Sequence, residues 1–471
     1  MNRSFAIMAM LVLAVTGCAK HDLEPGLIAT NTMGTIRGMH FARIITHFHI
    51  PYSFDACDGK GLSGGSSGDP ADWCVADIRQ AMCDNHIDFV FVTDHPNNMS
   101  YMTFQQLVMQ GPGDTIVNGT FGPIANQMYC DNGHVPTLVP GLEGRFLAIG
   151  MQQHVPAMTG AQLNTLYNQE DAATMATLQD PAGAGALVLI PHTESRDPAL
   201  LMTLNPAAIE IYNVHANLDP RIRKTYLGLP PFDYIGKFIN YLVDPTNALN
   251  ADYLFMEFLQ YTPVYFNVWN NMLAAGLHTT GLGGLDSHEN ILPEKGSDGL
   301  RLDHHRRMTR FMNNWVLTTG NDITSIKNSI KAGLLYFIIE GLGTPVGMDY
   351  FGSVNGTTVE MGSTMTVSVS TGQTSSLTFN IPHVDPNFAG MDGPYRPVIY
   401  AELHKIDSSG AETVVAVSTG SQLVYPNPVA ANYRVHVFMF PVHLRDLIYN
   451  QSLSLTPYQW IISNPINVVT I

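Results

Sequence analysis

Five short apolar runs, each stopping abruptly on histidine or a carboxylate, constrain this 471-residue chain more than any other feature. Arg43-Ile44-Ile45-Thr46 ends in His47-Phe48-His49, and Asp88 to Val92 ends in Thr93-Asp94-His95. Leu138-Val139-Pro140-Gly141-Leu142 ends in Glu143, Ala186 to Pro191 ends in His192, and Thr279 to Leu285 ends in Asp286-Ser287-His288. Apolar runs without polar alternation are what parallel strands buried on both faces require. Residues i and i+2 of a strand point the same way, so His47 and His49 can reach one ion while Phe48 packs on the other side. A closed parallel barrel would gather all five strand ends on one face. Between the runs the period turns helical. Cys74, Ile78, Ala81 and Met82 after Asp72 predict one helix, and Asp322 caps another carrying Ile323, Ile326 and Ile330 before a strand over 334–339.

In chain order, His47-x-His49, Thr93-Asp94-His95, Gly141-x-Glu143, the strand ending in His192 and Asp286-x-His288 resemble the marks of the polymerase and histidinol phosphatase (PHP) superfamily. The likeness runs from about Met39 to Gly341 and includes Ser53-Phe54-Asp55-Ala56, with Ala56 where the family has Gly. It also includes Ala208-Ile209-Glu210-Ile211-Tyr212-Asn213, similar to the family's Glu-x-Tyr-Asn strand. The resemblance implies an α/β fold, a distorted (β/α)7 barrel over residues 37–348, that hydrolyses a phosphoester. It further implies His47, His49, Asp55, His95, Glu143, His192, Asp286 and His288 as metal ligands, with Glu143 bridging, and Glu143, Asp94 and His95 as the catalytic group. Asp94 is either a ligand or a group that orients an imidazole.

His, Asp and Glu without thiolate suit Zn, Mn or Fe, and this many donors exceed what one four-coordinate ion takes, so two or three divalent ions are expected. His154 is a further ligand or part of a surface turn, and His215 is structural or touches substrate. Arg145 and the basic run Arg301, His304, His305, Arg306, Arg307 and Arg310 either grip a substrate anion or form a solvated helix face. The formal charge of −16 with no basic stripe excludes nucleic acid as an expected partner. An amidohydrolase-like metal enzyme is the nearest alternative; it would bridge two metals with a strand lysine, and Lys224 and Lys237 follow no apolar run. A binding lipoprotein that keeps the fold without catalysis is the other.

Asn2-Arg3, the apolar stretch from Phe5 to Val15 and Val15-Thr16-Gly17-Cys18 resemble a bacterial lipoprotein signal over residues 1–18. Cys18 would then carry the lipid, with 19–36 as a tether, and the chain would sit in the cell envelope on the outer membrane or the periplasmic face of the inner one. The remaining Cys57, Cys74, Cys83 and Cys130 allow three pairings into two disulfides, or a structural zinc site. From residue 349 the pattern changes to period two, as in Leu377, Phe379 and Ile381 or Tyr433, Val435, Val437 and Met439, which predicts a small β-sandwich. Its His383, His404, His436 and His443 are scattered and read as structural or surface residues. Oligomeric state does not follow from the sequence.

Overall fold

The computed structural model describes residues 26–64, 68–243, 249–260, 262–368 and 372–471. The expected signal, Cys18 and the first part of the tether lie outside the described residues. No helix among those described is long and apolar enough to cross a membrane.

Each of the five apolar runs forms buried strand, the third splitting into two, and two further strands join them. They are β1 (His40–Ile45), β2 (Phe89–Val92), β3 (Thr137–Pro140), β4 (Leu142–Glu143), β5 (Leu147–Ile149), β6 (Leu187–Ile190), β7 (Ala208–Asn213) and β8 (Thr280–Gly284). β1, β2 and β3 are parallel neighbours. β6, β7 and β8 form a second parallel set, extended by the antiparallel β5 and β4.

The expected closed barrel does not form; the two sets belong to separate sheets. The second edge of β1 is taken by the antiparallel strand β9 (Asn313–Thr318), which in turn pairs with β10 (Leu335–Ile338). β1 and β8 therefore meet only beyond their carboxyl ends, where Asp286 N donates to His47 O at 2.9 Å and His49 N to Ser287 O at 3.1 Å. On the far side, β3 turns into β4 at Gly141, where a Cβ would lie 2.5 Å from Ala148 O and 2.8 Å from Val92 O. Only glycine allows that approach. Two open sheets thus bring their carboxyl ends together without a continuous ladder.

Helix α1 (Asp72–Asp84) buries Cys74, Ile78, Ala81 and Met82, as the spacing predicts. Two disulfides flank it: Cys57 pairs with Cys74, and Cys83 with Cys130. That choice among the three pairings also removes the structural-zinc reading. Helix α2 (Ile323–Lys331) starts on Asp322, whose Oδ1 accepts from Ser325 N at 3.0 Å. Asp322→Ala is expected to lower stability by about 1 kcal/mol through loss of this cap, read as a lower urea midpoint.

Beyond residue 349 the alternating segments form strands, among them Thr364–Val367, Ser375–Asn380, Val398–Ile406 and Ala431–Phe440. They make two facing layers. Tyr350 Oη donates to Tyr433 O across the gap at 2.9 Å, and the rings of Tyr425 and Tyr433 stand 5.9 Å apart. The expected sandwich is only half separate, because one layer continues the first sheet through the pairing of β10 with Tyr458–Ser463. One apolar core accordingly runs through both regions.

Candidate metal centre

Alternation beyond β1 sends His47 and His49 inward and Phe48 outward, onto the His305 ring at 4.6 Å. His47 and His49 are completely buried. The Nε2 atom of each lies 3.2 Å from Glu143 Oε2 and 3.2 Å from Asp286 Oδ1. None of these four buried atoms has a hydrogen-bond partner. Such orphans cost about 1–3 kcal/mol each, so this arrangement calls for something at its middle. Four donors with these neighbouring separations leave room for one ion about 2.0–2.3 Å from each, which overlaps the distances at which zinc binds imidazole and carboxylate. The donor set therefore fits a divalent cation.

Two more groups adjoin the first: His49, Asp55, His95 and His288, and then His215, Asp286 and His288. Shared members make them one continuous site. Glu143 spans it, since Oε1 stands 3.2 Å from His192 Nε2 while Oε2 faces His47, His49 and, at 3.3 Å, His95 Nδ1.

The imidazoles are aimed by their other nitrogens. His47 Nδ1 is 2.6 Å from Glu210 Oε1, and His192 Nδ1 is 3.1 Å from Glu194 Oε1. His49 Nδ1 is 3.2 Å from Ser53 Oγ, whose hydroxyl donates onward to Asp55 Oδ1 at 2.8 Å. His95 Nδ1 and His288 Nδ1 face the carbonyls of Glu143 and Asp286 at 3.1 and 3.0 Å. Every partner accepts, so in the neutral rings Nδ1 carries the hydrogen and Nε2 keeps its lone pair.

The field at the centre is negative. Burial disfavours a charged His47, yet Asp286, Glu143 and Glu210 outweigh burial and hold its pKa well above the usual value. Conversely, burial would raise the Glu143 and Asp286 carboxyls, but His47 and its neighbouring imidazoles keep both well below the usual range. The ion-pair partners of Glu143 and Asp286 among the described residues are all imidazoles, so a divalent cation would compensate the charge of the two carboxylates.

Of the residues singled out in the sequence, His47, His49, Asp55, His95, Glu143, His215, Asp286 and His288 fall in these groups, and His192 touches Glu143 and Asp286. Asp94 does not join them. Its Oδ1 accepts from Ile50 N at 2.8 Å, holding the turn after His49, and burial pushes its carboxyl up to about 7. His154 lies apart, bonded to Tyr167 Oη and Met102 O. Arg145 is exposed.

The basic run is neither an anion grip nor a solvated face. Helix α3 (His305–Phe311) is buried throughout, and the run is ion-paired inside the protein. Arg306 bonds Asp84 and Asp252, Arg307 bonds Asp252 and Asp298, and Arg301 bonds Asp58 and Asp303. Two other clusters of ligand-type residues lie outside this site. In His404, Glu412 and His436, the cation is Arg434, 2.7 Å from Glu412 Oε1 and donating from Nε to His436 Nε2 at 2.9 Å. In Asp77, Glu289 and His304, Nδ1 of His304 accepts from Arg306 N at 3.0 Å. The hydrogen of that ring then sits on Nε2, which is 3.3 Å from Asp77 Oδ1, yet neither that nitrogen nor Glu289 Oε2 has a hydrogen-bond partner.

Sequence reasoning missed Glu210, Glu194 and Asn213 as members of the site. The signal for Glu210 was a lone carboxylate inside the apolar run 208–213, where an unpaired charge would be costly. Glu194 and Asn213 gave no signal of comparable weight.

No protein-family profile and no curated protein matches the chain. A two-domain protein from Bacteroides vulgatus containing a predicted PHP-like metal-dependent phosphoesterase is similar at 10% identity and TM-score 0.31 over 95% of this chain and 100% of its own. PsfC from Pseudomonas syringae is similar at 12% identity and TM-score 0.30 over 61% of this chain and 87% of its own. Likeness at this level carries no functional weight; the donor set does.

Proposed function

We propose that the chain is a metal-dependent phosphoesterase that holds two or three divalent ions, Mn, Zn or Fe, and acts on a small phosphoester in the bacterial cell envelope, tethered through Cys18. The observation that carries the reading is the set of four orphaned donor atoms on His47, His49, Glu143 and Asp286, continuous with two further groups. When bound, such ions supply Lewis acidity toward a phosphoryl oxygen and lower the pKa of a coordinated water. The chain's own residues prepare that chemistry. Glu143 joins the groups into one site, Ser53 relays the His49 Nδ1 hydrogen bond to Asp55, and Asp94 fixes the backbone from which His49 projects. His95 and His192 keep about a quarter and a fifth of their side chains exposed, at 24% and 20%, so substrate meets the site from their side. The amidohydrolase-like alternative is less well served, because Lys224 is exposed and Lys237 donates from Nζ to Glu257 O at 3.1 Å.

Elemental analysis of the purified protein together with turnover of p-nitrophenyl phosphate tests this. Chelation is expected to abolish turnover, and Mn, Zn or Fe to restore it, with His49→Ala as the control. Activity that survives removal of the metals, or a fully metallated protein that leaves phosphomonoesters, phosphodiesters and phosphonates intact, would contradict it.

A further inference from the structure

His47 is the one imidazole of the first donor group whose Nδ1 meets a carboxylate sunk between two strands. Glu210 sits in the middle of β7 and is wholly buried. Its Oε1 lies 2.6 Å from His47 Nδ1, and its Oε2 accepts from His192 N at 2.9 Å and from Asn213 Nδ2 at 3.1 Å. The same Asn213 amide reaches Asp286 Oδ2 at 3.3 Å. One carboxylate thus touches the side chain of one donor and the backbone of another, and reaches a third through Asn213.

The neighbouring strand is shaped around it. A Cβ at Gly284, the last residue of β8, would stand 1.9 Å from Glu210 Oε1 and 2.3 Å from its carboxyl carbon. The β7 to β8 register also shifts between Leu282 and Gly283, next to this contact. Any side chain at 284 would occupy the space that the carboxylate uses, so Gly284 reads as a slot for Glu210.

We infer that Glu210, admitted by the missing side chain of Gly284, is a positioning residue that fixes His47 as the Nδ1–H tautomer and so keeps Nε2 free for an ion. The inference rests on the metal-centre reading proposed above. An acceptor at Nδ1 is what the outer partner of a metal-binding imidazole supplies, and losing such a partner weakens metal binding about 10- to 100-fold. Glutamine in place of Glu210 has a specific defect. Two donors, His192 N and Asn213 Nδ2, claim one end of the group and select the amide oxygen. The amide nitrogen then faces His47 Nδ1, which must accept, and the ring hydrogen moves to Nε2.

The test compares wild type, Glu210→Gln and Gly284→Ala at matched foldedness, judged by urea midpoint. Zinc affinity is read by competition with a chromophoric chelator, and the His47 tautomer by 15N-histidine spectra of the metal-free protein at a pH high enough to leave His47 neutral, assigned with His47→Asn. Both variants are expected to lose about 10- to 100-fold affinity for one zinc equivalent, and Glu210→Gln to move the His47 hydrogen from Nδ1 to Nε2. If Gly284→Ala does not fold, Glu210→Gln carries the test alone. Wild-type zinc affinity in a folded Glu210→Gln protein, or an unchanged tautomer, would overturn the inference. A protein that binds zinc but hydrolyses no phosphoester would instead remove the phosphoesterase reading and leave this one standing.

Discussion

Glu143→Gln is expected to cut phosphoester turnover by more than about 100-fold, beyond the loss that follows removal of an outer hydrogen-bond partner, and to lower the bound metal by at least one equivalent. The reason lies in the two oxygens of one carboxylate. Oε2 is 3.2 Å from the Nε2 atoms of His47 and His49, and Oε1 is 3.2 Å from Nε2 of His192. An amide keeps one acceptor and turns the other into a donor, which then points its hydrogens at imidazole lone pairs or at a cation. Nearly equal size means the fold should survive, so the loss reports on donor chemistry and not on packing. Metal per protein by elemental analysis and initial rates on p-nitrophenyl phosphate measure the two effects. Full wild-type metal content in the variant would show that Glu143 does not join the groups.

The strand ends were legible because a buried parallel strand seldom carries a polar residue along its length, so a histidine or carboxylate closing an apolar run stands out. Position i, i+2 placed His47 and His49 on one side before any coordinates did. What joins the ends was not legible. The seam between β1 and β8 is made by backbone bonds of His47 and Ser287 that leave no compositional trace, and β1 is captured by β9, a strand that opens on Asn313-Asn314 and lies far along the chain. Arg306 and Arg307 misled for a related reason, since their partner Asp252 is remote in sequence and charge pairing across such distances carries no local pattern. Glu210 was quoted inside a strand and passed over because its meaning depends on Gly284, which only the fold brings beside it.

A second large effect is expected far from the metals. Glu340→Ala should destabilise the protein by about 3–5 kcal/mol, the cost of leaving a buried charge without its partner. Arg43 lies within β1 and Glu340 just after β10, and neither side chain is exposed at all. The guanidinium donates from Nε to Glu340 Oε2 at 2.9 Å and from Nη2 to Oε1 at 2.7 Å, while Nη1 reaches the carbonyls of Ile28, Asn85 and His86. The carboxylate is equally committed, accepting also from Asn313 Nδ2, Trp315 Nε1 and Thr344 Oγ1. Alanine removes one charge and strands all these donors together. Glutamine at 340 retains an acceptor for some of them and should cost less, which separates the charge from the hydrogen bonds. Urea denaturation followed by tryptophan fluorescence reads both variants, and Trp315, whose ring lies 5.3 Å from the Arg43 guanidinium, reports from within the network. A change below about 1 kcal/mol for Glu340→Ala, the range typical of exposed pairs, would mean that water reaches this site. Zinc affinity should stay at the wild-type level wherever the variant is folded, because the pair holds the base of β1 to β10 and leaves the four donor atoms at the strand ends untouched.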